Sequence, residues 1–167
     1  MVDHRVGLGY DSHRFDELRR LVLGGVDIPD HPGLRGHSDG DAVAHAIIDA
    51  ILGAAGAGNV GSHFPPSEDQ WRNADSIQLL SRATGVLHDR GYRVVNVDVT
   101  VVCETPKIQP WADSMSARLG EAMSVPADRV SVKGKSNEGL GWIGERLGLA
   151  VHAVALIERA PPRSGAD

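Results

Sequence analysis

The sequence predicts an α+β (mixed α/β) fold: a single domain in which a mixed, mainly four-stranded sheet is covered by helices. Three observations predict this architecture. The chain has 167 residues, of which 41 % are apolar, and this is enough for one buried core. The apolar patterns follow the order strands, helix, helix, strand, helix, strand, strand. Since no repeat or interdomain linker interrupts them, we expect one domain over residues 1–159 and a disordered tail over residues 160–167.

The first strand is expected near residues 5–13. Apolar residues alternate there with Gly7, Gly9, Asp11 and His13, and side chains two apart lie on the same face of a strand. We therefore expect Asp11 and His13 to point to one side of the sheet, where the two glycines leave open space.

A hairpin, a loop and a helix are expected next. LVLGGVDIP predicts two short strands about Gly24 and Gly25, and DHPGLRGHSDGD predicts a loop. A helix should then cover about residues 41–55, with Asp39 or Asp41 as its N-cap. The segment GAGNVGSHFPPSEDQWRN has no apolar period and predicts a long loop.

The second half of the chain alternates helices and strands. A helix is expected over residues 75–90, ending at Gly91. In YRVVNVDVTVVC every second residue from Val95 to Val101 is valine, which is typical of a half-buried strand. A helix from Met115 to Met123 should lead to the strand VSVKGK and to a last strand, LAVHAVALIE. Because this last strand is apolar on both faces, it suggests that subunits pack on one another.

The composition argues against several classes of function. The formal net charge is −5 and the 17 basic residues are scattered, so no nucleic-acid partner is expected. No apolar run could cross a bilayer, and the N-terminus lacks the apolar stretch of a secretory signal. We therefore expect no membrane partner and a cytoplasmic location. The single Cys103 cannot form an internal disulfide or a cysteine-rich zinc module.

Asp11, His13 and His45 form a candidate metal site. Catalytic zinc sites use three protein ligands and leave one position open, which an oxygen of water or phosphate would take here. Asp49 follows His45 by one helical turn and is expected to orient its imidazole through a hydrogen bond. An isolated D-x-H motif is more often two polar residues at the end of a strand, so the residues alone leave both interpretations open.

Five segments of the chain resemble the 2-C-methyl-D-erythritol 2,4-cyclodiphosphate synthase family. They are GYDSHRF, GHSDGDAVAHAIIDAILGAAGAGNVG, HFPPSEDQW, NVDVTVVCETPK and VKGKSNEGLGWIG, in the order and spacing of that family over residues 5–158. The resemblance implies that residues 1–159 are a cyclodiphosphate synthase domain of the non-mevalonate isoprenoid pathway. Such a phosphorus–oxygen lyase closes 4-diphosphocytidyl-2-C-methyl-D-erythritol 2-phosphate to the 2,4-cyclodiphosphate and releases CMP. The resemblance also implies a homotrimer with active sites between neighbouring subunits.

Two metal ions and two catalytic side chains are implied by the same resemblance. The candidate triad matches the family's zinc ligands, and the open position would take an oxygen of the β-phosphate. Glu138 matches the ligand of a second divalent ion, magnesium or manganese, between the α and β phosphates. His37 and Ser136 match groups that stabilise the transition state. The family usually has threonine at the second position, and serine keeps the hydroxyl donor.

The resemblance further implies contacts to each part of the substrate, including backbone contacts to the cytosine. The implied substrate-binding residues are Ser38 at the phosphates, Asn59, Val60 and Gly61 at the ribose, Phe64, Pro65, Pro66, Ser67 and Glu68 over the methylerythritol, Cys103, Glu104, Thr105, Pro106, Lys107, Ile108 and Gln109 about the cytosine, Lys135 and Asn137 beside the phosphates, and Trp142.

Three departures from the family pattern affect expected binding. Asn59 replaces the usual aspartate, which we expect to weaken nucleotide binding by about 1 kcal/mol because a neutral amide replaces a charged acceptor. Pro66 stands where an aspartate is usual and cannot accept a hydrogen bond from a substrate hydroxyl through its side chain. Glu145, Arg146 and Leu147 change the charges around the central cavity of a trimer, so we do not assume that this cavity binds an isoprenoid diphosphate.

Two other functions remain as alternatives at this point. A zinc-dependent phosphoesterase would use the same site with water as the nucleophile and would give a linear phosphate. A non-catalytic trimeric nucleotide-binding relative would keep the pocket without turnover. The presence of every expected residue at the reacting centre favours the synthase over the second alternative.

Overall fold

A computed structural model describes residues 3–161 of the chain. Its strands form one five-stranded sheet with the order β2-β1-β5-β3-β4. Helices α1, α3 and α4 pack on the sheet, which confirms the predicted α+β class and the single domain. The strands are β1 (His4–Leu23), β2 (Val26–Leu34), β3 (Tyr92–Val102), β4 (Val130–Lys135) and β5 (Gly148–Arg159), and the helices are α1 (Ala42–Ala54), α2 (Val60–His63), α3 (Ser76–Asp89), α4 (Ala112–Met123) and α5 (Gly141–Gly144).

Strand β1 is longer than the predicted strand. Its first part, from His4 to Arg14, pairs antiparallel with β5, and its second part pairs with β2. The main ladder therefore has four strands, as predicted, and β2 adds a hairpin about Gly24 and Gly25. The predicted loop DHPGLRGHSDGD starts later than expected, because β2 continues to Leu34. Strand β2 can contain prolines because it lies at the edge of the sheet and because its pairing with β1 has register shifts.

The start of α1 is tied to the turn of the β1–β2 hairpin by Asp41. This side chain, rather than Asp39, is the N-cap: its Oδ1 accepts hydrogen bonds from the backbone N–H of Val43 and Ala44 at 3.0 and 3.1 Å. The same carboxylate accepts from Gly24 N at 2.9 Å and from Gly25 N at 2.7 Å. One buried carboxylate thus serves both a helix start and a turn, and it fixes where the first turn of α1 lies.

Helix α1 packs directly against the two glycines of β1. A Cβ on Gly7 would lie 1.9 Å from the backbone oxygen of Ala50, and one on Gly9 would lie 1.8 Å from that of Ala46. The prediction that these glycines leave open space is therefore wrong, because the helix backbone fills it. Because α1 and β1 approach each other so closely, the first turns of the helix lie next to the strand, on the same face as the two glycines.

Strand β3 departs from strict alternation at one residue. The register with β5 shifts between Val94 and Asn96, so that Val94 is buried and Val95 is only half-buried. The later valines at 97, 99 and 101 are buried as predicted. A β-bulge adds one residue and changes the face of the side chains before it, and the sequence pattern gives no sign of it.

One face of the sheet is apolar, and the rest of the described chain leaves it exposed. On β1, Val6 and Leu8 are 68 % and 67 % exposed, and Tyr10 and Val154 lie near them at 49 % and 43 %. Strand β5 has apolar residues on both faces, as predicted. Ala153, Ala155 and Ile157 are buried in the core, whereas the other face carries Val154 and the exposed His152. Contiguous apolar surface of this kind is typical of a protein–protein contact.

The remaining segments show one deviation from expectation. The predicted long loop between α1 and α3 contains the short helix α2 and a 3₁₀ turn over Asp69–Trp71. In the part of the chain that is described, none of the helices has the length and apolarity to span a membrane. The predicted disordered tail begins at residue 160, and its residues 162–167 lie outside the described residues.

Candidate active site

Asp11, His13 and His45 are brought together as the sequence predicts. The two β1 residues point to the same side of the sheet, and His45 lies in the first turns of α1. Asp11 Oδ2 is 2.8 Å from His13 Nε2 and 3.1 Å from His45 Nδ1. Their candidate ligand atoms all lie within 4.8 Å of one another. One carboxylate and two imidazoles in this arrangement are a donor set that zinc accepts.

The outward nitrogen of each imidazole also has a partner. His13 Nδ1 lies 2.6 Å from the backbone oxygen of Arg35, which can only accept, so Nδ1 carries a proton. His45 Nε2 lies 3.0 Å from Ser76 Oγ and 3.1 Å from Ser38 Oγ. Metal-binding histidines commonly donate their second N–H to such partners, which orients the ring.

Asp49 does not orient His45 as predicted. Its Oδ1 accepts a hydrogen bond from the backbone N–H of Val60 at 2.7 Å, while the hydrogen bonds of the His45 ring go to Asp11 and to the two serine hydroxyls. Asp49 does follow His45 at the i,i+4 spacing of a helix. The start of α2 lies close enough, however, for its backbone to form the hydrogen bond with this carboxylate. Asp49 therefore holds the segment that begins with Asn59 and Val60.

The charge of the triad follows from its contacts. Burial raises the pKa of Asp11, but hydrogen bonds from His13 and His45 outweigh it and hold the pKa of this carboxyl well below its usual range. Burial lowers the pKa of His13, and its hydrogen bond and charge interaction with Asp11 more than compensate and raise it. Asp11 is thus a carboxylate at neutral pH, which favours a bound cation between the three groups.

A cavity of about 270 Å³ opens beside the triad. His37 lines it, and Nε2 of His37 is buried with no hydrogen-bond partner among residues 3–161. A buried polar atom without a partner is costly unless a ligand satisfies it. Phe64 packs edge-on against Trp71, with ring centroids 5.1 Å apart, and closes one side. The lining residues include Asp11, His13, His37, Ser38, His45, Val60, Gly61, Phe64, Pro66 and Trp71.

A second, separate cavity of about 140 Å³ gathers the residues expected at the cytosine. Cys103 is buried, and its thiol donates to the backbone oxygen of Pro106 at 3.4 Å. Burial raises the pKa of the Cys103 thiol to about 11, so it is no nucleophile at neutral pH. The lining residues are Cys103, Pro106, Lys107, Ile108, Gln109, Gly134, Lys135 and Ser136.

The turn after β4 presents Ser136 and Glu138. Ser136 Oγ donates to Glu138 Oε1 at 2.6 Å, and Glu138 has a φ of +52°. Glu104 supports this turn, because its Oε1 accepts from the backbone N–H of Asn137 at 2.9 Å and of Gly139 at 3.2 Å. The resemblance implies Glu104 only as a residue beside the cytosine. In the structure its side chain also joins the segment after β3 to the turn after β4.

The three departures lie at distinct places. Asn59 caps α2, since its Oδ1 accepts from Ser62 N at 3.0 Å, and Pro66 lines the triad cavity. Trp142 and Leu147 line a further cavity of about 210 Å³ next to His13. Trp142 is thus near the triad but outside the cavity that holds it.

Arg19, Asp39 and Ser76 contact the site and were missed by sequence reasoning. Arg19 donates to the backbone oxygens of Gly36 and Ser38, on either side of His37. Asp39 accepts a hydrogen bond from the Ser76 hydroxyl, and Ser76 Oγ lies 3.0 Å from His45 Nε2. Arg19 lies in a run of charged residues with no period, and the other two have the usual appearance of residues at helix starts, so no pattern distinguished them.

Fold and site together define a class: single-domain α+β proteins with a candidate metal site of one carboxylate and two imidazoles, formed where a long strand packs against a helix. A model of the YgbB family matches residues 4–158. The chain belongs to the YgbB family. Among curated relatives, 2-C-methyl-D-erythritol 2,4-cyclodiphosphate synthase of Symbiobacterium thermophilum is 51 % identical over 152 residues, which are 91 % of this chain and 97 % of the relative. The enzyme of that name from Dechloromonas aromatica is 46 % identical over 158 residues, 95 % of this chain and 99 % of the relative.

Solved structures give the same result. The bifunctional IspDF of Campylobacter jejuni superposes with a TM-score of 0.92 at 35 % identity, over 95 % of this chain and 43 % of that chain. A CDP complex of IspF from Plasmodium falciparum has a TM-score of 0.82 at 34 % identity, over 95 % of this chain and 97 % of that chain.

Proposed function

We propose that this protein converts 4-diphosphocytidyl-2-C-methyl-D-erythritol 2-phosphate to 2-C-methyl-D-erythritol 2,4-cyclodiphosphate and CMP, in isoprenoid precursor synthesis. The observation that carries the proposal is the preassembled triad of Asp11, His13 and His45 beside His37, whose Nε2 has no protein partner. The relatives that match over nearly the whole chain are named for this reaction.

The triad would hold a zinc ion through Asp11 Oδ2, His13 Nε2 and His45 Nδ1. These are the atoms that face one another, while the other imidazole nitrogens are engaged elsewhere. When bound, zinc supplies Lewis-acid polarisation of a phosphoryl oxygen. The choice of zinc over other divalent ions is part of the proposal and rests on the mixed nitrogen and oxygen donor set.

The reaction is an internal phosphoryl transfer. An oxygen of the 2-phosphate attacks the β-phosphorus, the bond from that phosphorus to the bridging oxygen breaks, and CMP leaves with the electron pair. The attacking phosphate is already ionised at neutral pH, so no general base is needed. Positioning and charge stabilisation dominate such steps. An N–H at His37 Nε2 would donate to a phosphoryl oxygen as charge develops, and the Ser136 hydroxyl would donate at the nucleotide side.

Glu138 is proposed to hold the second divalent ion, magnesium or manganese. It is an exposed carboxylate at the end of β4, and hard divalent ions prefer carboxylate oxygens. Ser136 at 2.6 Å and the bracing of this turn by Glu104 fix its position. The nucleotide would lie in the second cavity, next to Lys135. The Plasmodium falciparum relative is described as a CDP complex, which supports a cytidine nucleotide as the ligand.

A homotrimer with shared active sites is part of the proposal. The triad and the nucleotide residues line different cavities of one chain, yet one substrate must contact both. A second copy could supply the missing half of each site, and the exposed apolar face of β1 and β5 offers a surface for it. The oligomeric state by light scattering tests this part directly, and a monomer that turns over would contradict it.

Phosphorus NMR on the purified protein with the substrate, zinc and magnesium tests the reaction. We expect the resonances of the cyclic diphosphate and of CMP to grow together. A linear phosphate product would instead support the zinc-dependent phosphoesterase, and nucleotide binding without any product would support the non-catalytic relative. Either result contradicts the proposed function.

A further inference from the structure

Ser76 is a buried hydroxyl that the proposed reaction does not use. It is the first residue of α3 and is 0 % exposed. Its Oγ lies 3.0 Å from His45 Nε2 and 2.5 Å from Asp39 Oδ1. Its backbone N–H donates to Asp39 Oδ2 at 3.0 Å, so the carboxylate contacts Ser76 through both oxygens.

The direction of these hydrogen bonds follows from the chemistry of the groups. A carboxylate can only accept, and a serine hydroxyl has one hydrogen. The Ser76 hydroxyl therefore donates to Asp39 and offers a lone pair to His45 Nε2, which must carry a proton to use it. Without metal, Nδ1 faces Asp11 Oδ2 at 3.1 Å and donates to it. A metal ion between the two groups would take the place of that Nδ1 proton, and Nε2 would keep its own proton toward Ser76.

We propose that Asp39 and Ser76 are positioning residues that orient His45, so that its Nδ1 is presented to the metal ion of the triad. The inference rests on the metal site of the proposed function, and it does not depend on the cyclisation itself. Ser38 Oγ also lies 3.1 Å from His45 Nε2, but it accepts from Gly40 N at 3.2 Å and lines the substrate cavity. The buried Ser76 is the partner that substrate does not displace.

Zinc affinity measured by chelator competition, without substrate, tests the proposal. We expect Ser76→Ala to weaken zinc binding by about 10- to 100-fold, as for other residues that orient metal-binding histidines. Asp39→Asn should weaken zinc binding as well. The amide NH₂ of asparagine replaces one of the two carboxylate oxygens, so it cannot accept either the hydrogen bond from the Ser76 hydroxyl or the one from the Ser76 backbone N–H. Thr84→Val is the matched control: it removes a buried hydroxyl of the same helix, which donates to Leu80 O at 2.9 Å, and it should leave zinc affinity unchanged.

The protonation pattern of His45 gives a readout that a purely structural role would not change. In zinc-loaded wild-type protein, ¹⁵N NMR should find His45 protonated at Nε2 and metal-bound at Nδ1. Protonation at Nδ1 with metal bound at Nε2 would overturn the proposal. This measurement uses wild-type protein, so it decides the question even if the variants do not fold. Wild-type zinc affinity in a folded Ser76→Ala protein overturns it too. Because both measurements omit substrate, a protein that shows the expected pattern but forms no cyclic product contradicts the proposed function alone.

Discussion

Arg19 donates a hydrogen bond from its guanidinium to the backbone oxygen of Ser38, across a separation of 19 residues along the chain. A second guanidinium nitrogen donates to the backbone oxygen of Gly36. The two bonds fix the backbone on both sides of His37. Arg19 thus sets the position of the loop that carries His37 and Ser38, which line the triad cavity, without lining that cavity itself.

Replacing Arg19 should therefore impair catalysis more than it impairs folding. Each hydrogen bond to a charged donor contributes about 1.5 to 3 kcal/mol, and we expect Arg19→Ala to lower kcat/KM by about 10- to 100-fold through displacement of His37 and Ser38. CMP release under steady-state conditions measures this. Arg20→Ala is the control, because Arg20 makes an exposed ion pair with Asp27 and such pairs contribute little. Equal losses in the two variants would contradict the assigned role.

Glu104 should support the proposed second metal site at Glu138 through geometry rather than charge. Both of its backbone hydrogen bonds, from Asn137 and Gly139, go to the same oxygen. Glu104→Gln keeps one acceptor oxygen and should retain most activity, whereas Glu104→Ala leaves the turn unsupported. We expect the alanine variant to need about 10-fold more magnesium for half-maximal rate. A magnesium titration of initial rates compares the two, and equal behaviour of both variants would indicate that the charge matters instead.

The order and type of the main elements were predictable because each carries a local signal. The α1 helix has an aspartate cap and a clear apolar period, and β4 was predicted to its exact bounds. Asp11, His13 and His45 could be found because strand alternation puts the first two on one face. The resemblance to a known family supplied the rest of the candidate site.

The errors arose where distant segments meet. Asp49 has the right helical spacing for His45, but whether Val60 N competes for it depends on the path of the intervening loop. Gly7 and Gly9 were expected to leave open space, and nothing local in the sequence shows that the backbone of α1 fills it. Ser76 is 31 residues from His45, and nothing local in the sequence relates two such residues.

Gly9 should tolerate no side chain. A Cβ there would lie 1.8 Å from the backbone oxygen of Ala46, so α1 would have to move away from β1 and the triad would separate. We expect Gly9→Ala to lower the free energy of unfolding by about 3 kcal/mol or more. Gly53→Ala, also in the α1 region but with no atom within 4 Å of the added carbon, should instead stabilise by up to about 1 kcal/mol. Urea denaturation checks both, and a stable Gly9→Ala protein would disprove the close packing.

His45→Ala should remove zinc binding and cyclisation together. The change deletes one of three candidate ligands and also the group that Asp39 and Ser76 orient. Zinc content by atomic absorption and CMP release should both fall to background. His88→Ala should retain both, because His88 lines a different pocket, with Arg93, that contains none of the triad residues. Undiminished turnover in a zinc-free His45→Ala protein would refute the role of the triad.

Cys103 gives a pH dependence of stability whose sign can be stated. Burial raises the pKa of its thiol from 9.0 to about 11 in the folded chain. Below about pH 9 the thiol is protonated in both states and its contribution to stability is complete. Between pH 9 and pH 11 the unfolded chain loses the proton first, so the contribution declines, by at most about 2 kcal/mol. Urea denaturation at pH 7.5, 9.5 and 10.5 should show wild-type protein losing more stability than Cys103→Ala over this range, and identical pH profiles would mean that the thiol titrates normally.

At pH 8 the native thiol should also react with iodoacetamide only after denaturation, because the thiolate that reacts is almost absent from the folded chain.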